Sequence, residues 1–241
     1  NNEGVLDLLQ KELTDMGFIC NRYLFSDTDT PDVDNLFAKI GSGAPHLCFG
    51  GHTDVVPVGD ENAWSSNPFE ATEKNGKLYG RGASDMKSAI AAFVSAVREY
   101  LENNQVKGTI SLLITNDEEG PAINGTRKVL EEIYKNGEKI DSCLVGEPTC
   151  PNNLGEMIKI GRRGSMTTTI KVSGKQGHVA YPEWTLNPIN PLTSILNTLC
   201  NLELDKGTED FPPSNMEIVK IASSEGATNI VPQTSTGTFN I

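Results

Sequence analysis

Hydrophobic and polar residues change between helical and strand-like spacing through about the first two thirds of the chain. Helical spacing predicts helices at residues 5–16, 86–103 and 125–136. Short apolar runs predict strands at residues 35–40, 46–50, 109–115 and 142–146, and a polar stretch at 58–77 predicts a loop with a short hairpin. Strands that alternate with helices indicate an α/β domain with a largely parallel sheet.

The pattern changes after about Arg162. SMTTTIKVSG alternates apolar and polar residues, as in a half-exposed strand, and is followed by a predicted helix at 191–202 and strands at 216–222 and 235–241. We therefore predict an α/β domain at 1–163 and a smaller α+β domain, with a ferredoxin-like order of elements, at 164–241. The last strand stops without a turn or cap, so we expect both domains to be incomplete at the C-terminal side.

Composition excludes several classes of partner. The chain has 241 residues, of which 37% are hydrophobic, and a formal net charge of -12, which argues against nucleic acid or an anionic membrane as a partner. No apolar run approaches the roughly 20 residues that span a bilayer, and the first residues do not resemble a signal peptide. Cysteines number five, without a C-x-x-C pair, which favours a reducing cytoplasm.

Acidic or imidazole side chains directly follow several of the apolar runs. These side chains are His52 and Asp54, Asp85, Glu118 and Glu119, and Glu147. In an open α/β sheet, ligands bind at the carboxyl ends of the strands. One imidazole with several carboxylates suits a divalent metal, and zinc is the first candidate. We predict that His52 binds the metal and that Asp54 orients the imidazole ring.

Each of these signals also has an ordinary structural explanation. A His-x-Asp pair can form a local hydrogen bond, and Asp85 or Ser84 can cap the helix that follows. The pair Glu118–Glu119 can belong to a solvated face, and Glu147 can be a loop residue. Their shared position at strand ends favours a metal site, although spacing alone leaves a non-metal protein open.

A series of motifs adds a family resemblance. In chain order the motifs are GGHTDVVP, LYGRGASDMK, TNDEEG, VGEPT, GRRGS, GHVAYP and ATNIVP. Together they resemble the zinc metallopeptidase family that includes acetylornithine deacetylase and aminoacylase, over nearly the whole chain. The last three motifs are most similar to those of succinyl-diaminopimelate desuccinylases. The resemblance implies hydrolysis of N-succinyl-LL-2,6-diaminopimelate in bacterial lysine and diaminopimelate biosynthesis.

The resemblance implies a centre of two zinc ions, with cobalt as a possible replacement. Asp85 bridges the two ions, which lie about 3.5–4 Å apart in such sites. His52 and Glu147 complete one ion and Glu119 binds the other. Glu118 is then the general base, and Asp54 supports His52.

The resemblance also assigns roles in the second domain, which becomes a lid and dimerisation domain. His178 would stabilise the oxyanion in the other subunit of a homodimer, whereas its ordinary explanation, with Tyr181, is packing at a strand end. Arg162 would pair with a carboxylate of the substrate, a small amide that carries two carboxylates. Ser165, Tyr181 and Asn229 are further substrate-binding candidates.

The sequence departs from the family pattern in its C-terminal part. The second zinc needs a histidine from a later segment, but the histidines here are His46, His52 and His178. The family continues its last lid strand with F-N-x-R, where this chain has Phe239-Asn240-Ile241. We therefore expect one complete zinc site and an inactive fragment.

Other interpretations remain open at this point. A related amidohydrolase, such as an acetylornithine deacetylase or a dipeptidase, shares the metal motifs. A non-catalytic family member that only dimerises is disfavoured by the intact Glu118 and Asp85. A nucleotide-binding protein fits poorly, because GRGAS does not match G-x-G-x-x-G and the chain has no G-x-x-x-x-G-K-[ST].

Overall fold

The computed structural model describes residues 4–241, so the first three residues of the predicted first domain lie outside the described part. The described residues form two compact units, one ending at Ile158 and the other beginning at Lys159. Among residues 4–241, none of the helices combines the length and apolar character that crossing a membrane requires.

The first unit contains the α/β elements expected from the sequence. Its helices are α1 (Val5–Asp15), α2 (Ser88–Asn103) and α3 (Thr126–Lys135). Its strands are β1 (Ile19–Phe25), β2 (Val33–Ser42), β3 (His46–His52), β4 (Thr72–Lys74), β5 (Lys77–Tyr79), β6 (Gly108–Thr115) and β7 (Ser142–Val145). Strands β4 and β5 pair as the predicted short hairpin. Strand β1 was not predicted.

The main sheet is mixed, which corrects the prediction of a largely parallel sheet. Its strand order is β1-β2-β6-β3-β7. The pairings of β6 with β3 and of β3 with β7 are parallel, whereas β2 is antiparallel to both of its neighbours, β1 and β6. Residues 43–45 alone connect β2 to β3, whereas a parallel connection needs a crossover of about a dozen residues. Strand β3 therefore runs against β2, and β2 is antiparallel to β6 because β6 is parallel to β3.

Helices cover both faces of this sheet. Side chains of β6 alternate between the faces, so that Leu112 and Ile114 pack with α1 and α2 while Leu113 packs with α3. This confirms that TISLLIT, the sequence of residues 109–115, is a strand buried on both faces. Because β3, β6 and β7 are parallel, their carboxyl ends meet at one edge of the sheet.

The second unit is an antiparallel α+β arrangement. It contains β8 (Thr167–Ser173), β9 (Gly177–His178), α4 (Ile189–Cys200), β10 (Glu217–Ser223), β11 (Ile230–Val231) and β12 (Thr234–Asn240). Strands β10, β12 and β8 form one sheet in that order, and β11 pairs with β9. Leu192 and Leu196 of helix α4 pack against Phe239 of β12, on one face of the three-stranded sheet. The lid and dimerisation roles of this unit stay predictions.

Gly108 illustrates how tightly the strands of the first unit meet. Its φ is +90°, and a Cβ at this position would lie 2.2 Å from the Pro45 carbonyl oxygen. We expect Gly108→Ala to lower the free energy of unfolding by more than the roughly 1–2 kcal/mol that a left-handed conformation costs a non-glycine residue. Urea denaturation measures this difference.

Gly43 supplies the matched control for that substitution. Its φ is +79°, but a Cβ there would have open space around it. Gly43→Ala should therefore cost only the conformational part. Equal losses for the two variants would show that the contact with Pro45 is unimportant.

Candidate active site

Three carboxylates surround the imidazole of His52 at the edge where the parallel strands end. His52 is the last residue of β3, and its side chain is 1% exposed. Its Nε2 lies 3.1 Å from Asp85 Oδ1, 3.5 Å from Glu147 Oε1 and 3.8 Å from Glu118 Oε2. The structure thus brings together side chains that are up to 95 residues apart in the sequence, counted from His52 to Glu147.

The donor atoms suit a divalent metal ion. Two sets of side chains each have ligand atoms within 4.8 Å of one another, namely His52 with Asp85 and Glu119, and His52 with Glu118 and Glu147. Both sets use the imidazole of His52 and differ in their carboxylates. One imidazole and several carboxylates form a set that binds zinc and similar ions.

Asp54 contacts both His52 and the loop that carries the paired glutamates. The His52 Nδ1 is 2.9 Å from the Asp54 backbone carbonyl and 3.5 Å from Asp54 Oδ1. Because a carbonyl only accepts, Nδ1 carries a hydrogen, and in the neutral ring Nε2 is then free to bind a metal. The carboxylate that was predicted to orient the ring lies farther away. Its Oδ2 accepts hydrogen bonds from the backbone N–H of Glu118 and Glu119, at 3.0 and 2.9 Å.

Asp85 does not cap the helix that follows it. Helix α2 begins at Ser88, after a wide helical turn, and no side chain caps its first residues. Asp85 itself has φ -119° and ψ 102°, which is extended backbone, and its carboxylate faces His52. The capping explanation for Asp85 or Ser84 is therefore wrong, because Lys87 directly precedes α2 and neither side chain accepts a backbone N–H of its first turn.

The electrostatics of the site reflect crowded negative charge. Burial alone would lower the pKa of His52, but Asp54 and Glu147 outweigh it and raise this pKa to about 9. Burial, followed by repulsion from Asp85, raises the pKa of both Glu119 and Glu147. Burial opposes ionisation of Asp54 as well, yet hydrogen bonds from His52 and the glutamate loop lower its pKa. A divalent cation at this position would offset the repulsion among the carboxylates.

Metal uptake by this site is expected to release protons. A metal needs the unprotonated Nε2, and with a pKa of about 9 His52 is protonated at pH 7 in the metal-free protein. Zinc binding at pH 7 should therefore release about one proton from His52, and affinity should fall as pH falls from 9 to 7. Calorimetric titration in buffers of different ionisation enthalpy measures the proton count.

The same pKa predicts how pH affects the stability of the metal-free protein. The folded-state pKa of His52 lies above its ordinary value of 6.5, so protonation of His52 favours folding. This contribution is fully present below pH 6.5 and disappears as pH rises through about 9.

For the calorimetric titration, zinc binding without proton release at pH 7 would contradict the raised pKa of His52.

In the second unit, His178 lies beside two of the predicted substrate-binding residues. Its Nδ1 accepts the backbone N–H of Ala180 at 3.1 Å, and its Nε2 is 3.3 Å from the Asn229 side-chain amide. The rings of His178 and Tyr181 meet edge to face at 5.9 Å. His178, Tyr181 and Asn229 therefore form one cluster, with the histidine held by β9 and its pairing to β11.

Arg162 and Ser165 line a different part of the second unit. They border a cavity of about 1020 Å³ together with residues of the loop 205–215. Ser165 and Asn240 exchange side-chain hydrogen bonds at 2.9 and 3.3 Å. This cavity has room for a small ligand, and Arg162 supplies positive charge to its wall.

Sequence patterns missed two residues that support the first-unit site. The sulfur of Met86 accepts the backbone N–H of His52 at 3.2 Å and is fully buried. Asp117, next to the paired glutamates, is also buried and accepts several backbone hydrogen bonds. A methionine just before an apolar helix gives no signal of such a role, whereas an acidic residue next to Glu118 could have been singled out.

A comparison with protein-family models matches residues 48–237 to "Peptidase family M20/M25/M40". The chain belongs to this family. The match covers well over half of the 241 residues and includes every metal-ligand candidate, which confirms the family resemblance of the motifs. The M20 family assignment also agrees with the mixed sheet and its flanking helices.

A curated relative is similar over nearly all of the chain. The succinyl-diaminopimelate desuccinylase of Parvibaculum lavamentivorans is 54% identical over 238 residues, which are 99% of this chain. The chain spans 60% of the length of that relative.

Solved M20 structures share the fold. A metallo-carboxypeptidase from Sulfolobus solfataricus is 20% identical, with a TM-score of 0.69 over 97% of this chain and 64% of that one. A dinuclear metal-binding M20 peptidase from Bacillus subtilis is 17% identical, with a TM-score of 0.55 over 98% of this chain and 57% of that one.

Proposed function

We propose that the whole protein is a metal-dependent amidohydrolase that cleaves N-succinyl-LL-2,6-diaminopimelate to succinate and LL-2,6-diaminopimelate. The observation that carries this proposal is the approach of Asp85, Glu147 and Glu118 to the Nε2 of His52. The 54% identity to a desuccinylase supports this substrate over those of more distant M20 relatives. The reaction would belong to bacterial lysine and diaminopimelate biosynthesis.

Two divalent ions, zinc or cobalt, would bind at this edge of the sheet. His52, Asp85 and Glu147 would hold one ion, and Asp85 would reach a second ion with Glu119. When bound, such ions polarise an amide carbonyl and lower the pKa of water. The chemistry of the donors supports this proposal, because Asp85 and Glu147 approach His52 Nε2 at 3.1 and 3.5 Å and Glu119 has a ligand atom close to those of His52 and Asp85.

The protein's own side chains would move the proton and bind the substrate. Glu118 would take a proton from the attacking water and give it to the amide nitrogen as the C–N bond breaks, so that a carboxylate and an amine leave. Asp54 would keep the His52 ring and the glutamate loop in place through the contacts described above.

The second unit would contribute substrate recognition and a further catalytic group. His178 would donate a hydrogen bond to the oxyanion, and as a lid residue it would act in the partner subunit of a homodimer. Arg162 would pair with a substrate carboxylate, with Ser165, Tyr181 and Asn229 as additional contacts. The odd number of cysteines and the lack of a C-x-x-C pair support a reducing cytoplasmic location.

A substrate comparison tests this proposal in the full-length protein with zinc added. Its kcat/KM should be highest for N-succinyl-LL-2,6-diaminopimelate and lower by orders of magnitude for N-acetylornithine and for a dipeptide. Preference for either of the last two would assign the protein to another branch of the family. Zinc binding without hydrolysis of any of the three would favour a non-catalytic member.

A further inference from the structure

The loop that carries both catalytic-site glutamates is anchored at two places. Residues 116–125 connect β6 to α3 and include Glu118 and Glu119. Asp54 accepts the backbone N–H of both glutamates, as described above. A second anchor lies within the loop itself, at Asp117, which the proposed reaction does not use.

Asp117 holds the returning half of the loop. Its side chain is buried, with the residue 5% exposed, and its carboxylate accepts three backbone hydrogen bonds. Ala122 N–H donates to Oδ1 at 3.1 Å, while Ile123 N–H and Asn124 N–H donate to Oδ2 at 2.9 and 2.8 Å. Hydrogen bonds to an ionised acceptor are stronger than those between neutral groups.

The last of these donors belongs to a residue that is itself fixed in the first unit. Asn124 is fully buried, and its side-chain amide donates to Thr30 Oγ1 at 2.7 Å and to the Pro31 carbonyl at 3.0 Å. Its own carbonyl accepts the side chain of Asn35, in β2, at 3.0 Å. Asp117 therefore ties the glutamate loop to a buried polar network that reaches β2.

The backbone around Asp117 is shaped to fit its carboxylate. Ala122 has φ +55°, a left-handed conformation that is unfavourable for a non-glycine residue. A Cβ at Gly120 would lie 2.9 Å from Asp117 Oδ1, and one at Gly125 would lie 2.9 Å from the Asp117 carbonyl oxygen. The hydrogen bond from the Ala122 N–H to Asp117 offsets the cost of the left-handed conformation. Because Gly120 and Gly125 have no Cβ, the backbone of the loop can pass close to Asp117.

From these contacts we infer that Asp117 is a positioning residue, which sets the directions of Glu118 and Glu119 by clamping the loop that carries them. The inference rests on the proposed function for the meaning of those directions. A catalytic group displaced by about 1 Å can cost roughly 10²-fold in rate. Loss of a group that supports a metal ligand typically costs about 10–100-fold in metal affinity or activity.

An amide cannot replace this carboxylate. Donors approach both oxygens of Asp117, so an asparagine in either orientation turns its NH2 group towards at least one backbone N–H. Asp117→Asn therefore breaks part of the clamp with almost no change in volume. Gly120→Ala should disturb the same hydrogen bonds, because the added methyl group would lie too close to Asp117 Oδ1.

The experiment measures kcat, KM and zinc affinity for both variants in the full-length protein. We expect kcat to fall about 10–100-fold with little change in KM, and zinc affinity to fall as well. Asp141→Asn is the matched control, since Asp141 Oδ2 accepts the backbone N–H of His46 at 2.8 Å, at the opposite end of β3. Because the asparagine oxygen can still accept this single hydrogen bond, Asp141→Asn should keep kcat and zinc affinity.

The outcomes separate this inference from the proposed function. Parental kcat and zinc affinity in Asp117→Asn and Gly120→Ala, in an active parent, would overturn the positioning role. Equal losses in Asp141→Asn would also overturn it, because the effect would then follow from replacing any carboxylate that accepts a backbone N–H of the first unit. A parent that hydrolyses none of the tested amides would refute the proposed function, and the zinc affinities would still decide whether Asp117 positions Glu119.

Discussion

Replacing Glu118 by alanine is expected to lower kcat by about 10²–10⁴-fold or more while the zinc content of the full-length protein stays nearly unchanged. This range is what a positioned general acid–base group contributes. Among the three carboxylates around His52 Nε2, that of Glu118 is the farthest, at 3.8 Å, and its side chain is 44% exposed. Such a carboxylate can meet incoming water and substrate, which a base must do.

Glu147 is the matched comparison for Glu118. Its carboxylate lies 3.5 Å from the same imidazole nitrogen, and its side chain is only 14% exposed. Glu147→Ala should lose both activity and zinc. The structure also permits an arrangement in which Glu118 is a ligand together with His52 and Glu147. Loss of zinc in Glu118→Ala, measured by elemental analysis after dialysis, would support that arrangement and would reject Glu118 as the base.

Replacing His52 by alanine is expected to remove bound zinc. His52 supplies the only imidazole in both possible ligand sets among the described residues. Loss of a direct ligand should weaken binding by more than the roughly 10–100-fold that loss of a supporting residue costs. Zinc per chain, measured after dialysis at neutral pH, should fall from at least one to almost none, and activity should fall with it.

His46 provides a control on the same strand. It is the first residue of β3, and its ring nitrogens contact the Lys139 carbonyl at 3.0 Å and Ser111 Oγ at 2.8 Å. His46→Asn should lower the melting temperature, because a buried polar contact is lost, but should keep zinc. If both histidine variants lose zinc equally, the loss reflects general unfolding. If His52→Ala retains zinc, the metal site does not lie at this edge of the sheet.

Much of the first unit could be predicted from local patterns. The apolar run TISLLIT and the amphipathic helix after Met86 have periods that leave little choice of structure. Strand β1 was missed because polar residues interrupt it. Its Arg22 is neutralised by ion pairs with Asp7 and Asp34, and these partners are known only once the helix and strands are assembled.

The grouping of residues at the candidate site could also be predicted from the sequence. Residues after strand ends collect at one edge of a parallel layer, so His52, Glu118 and Glu147 could be grouped before their distances were known. Asp85 instead follows the separate β4–β5 hairpin, so strand-end position does not explain its place beside His52. The contacts that each side chain makes were harder to predict. The sequence suggested that Asp54 orients His52, and Asp54 Oδ1 does lie 3.5 Å from His52 Nδ1, but no pattern indicated that Oδ2 also accepts the two N–H groups of the glutamate loop.

The sequence by itself determined most elements of the first unit, the grouping of most ligands and the family, because periodicity and short motifs are local properties of the chain. The tertiary structure decided the strand directions, the contacts of Asp54 and the burial of Asp117. Each of these depends on groups that are distant in the chain. The short connection at 43–45 makes β2 antiparallel to β6, and the hydrogen bonds of Asp117 and Asn124 form only when the loop folds back on the sheet. Long-range contacts of this kind have no periodic signature, so only the folded chain reveals them.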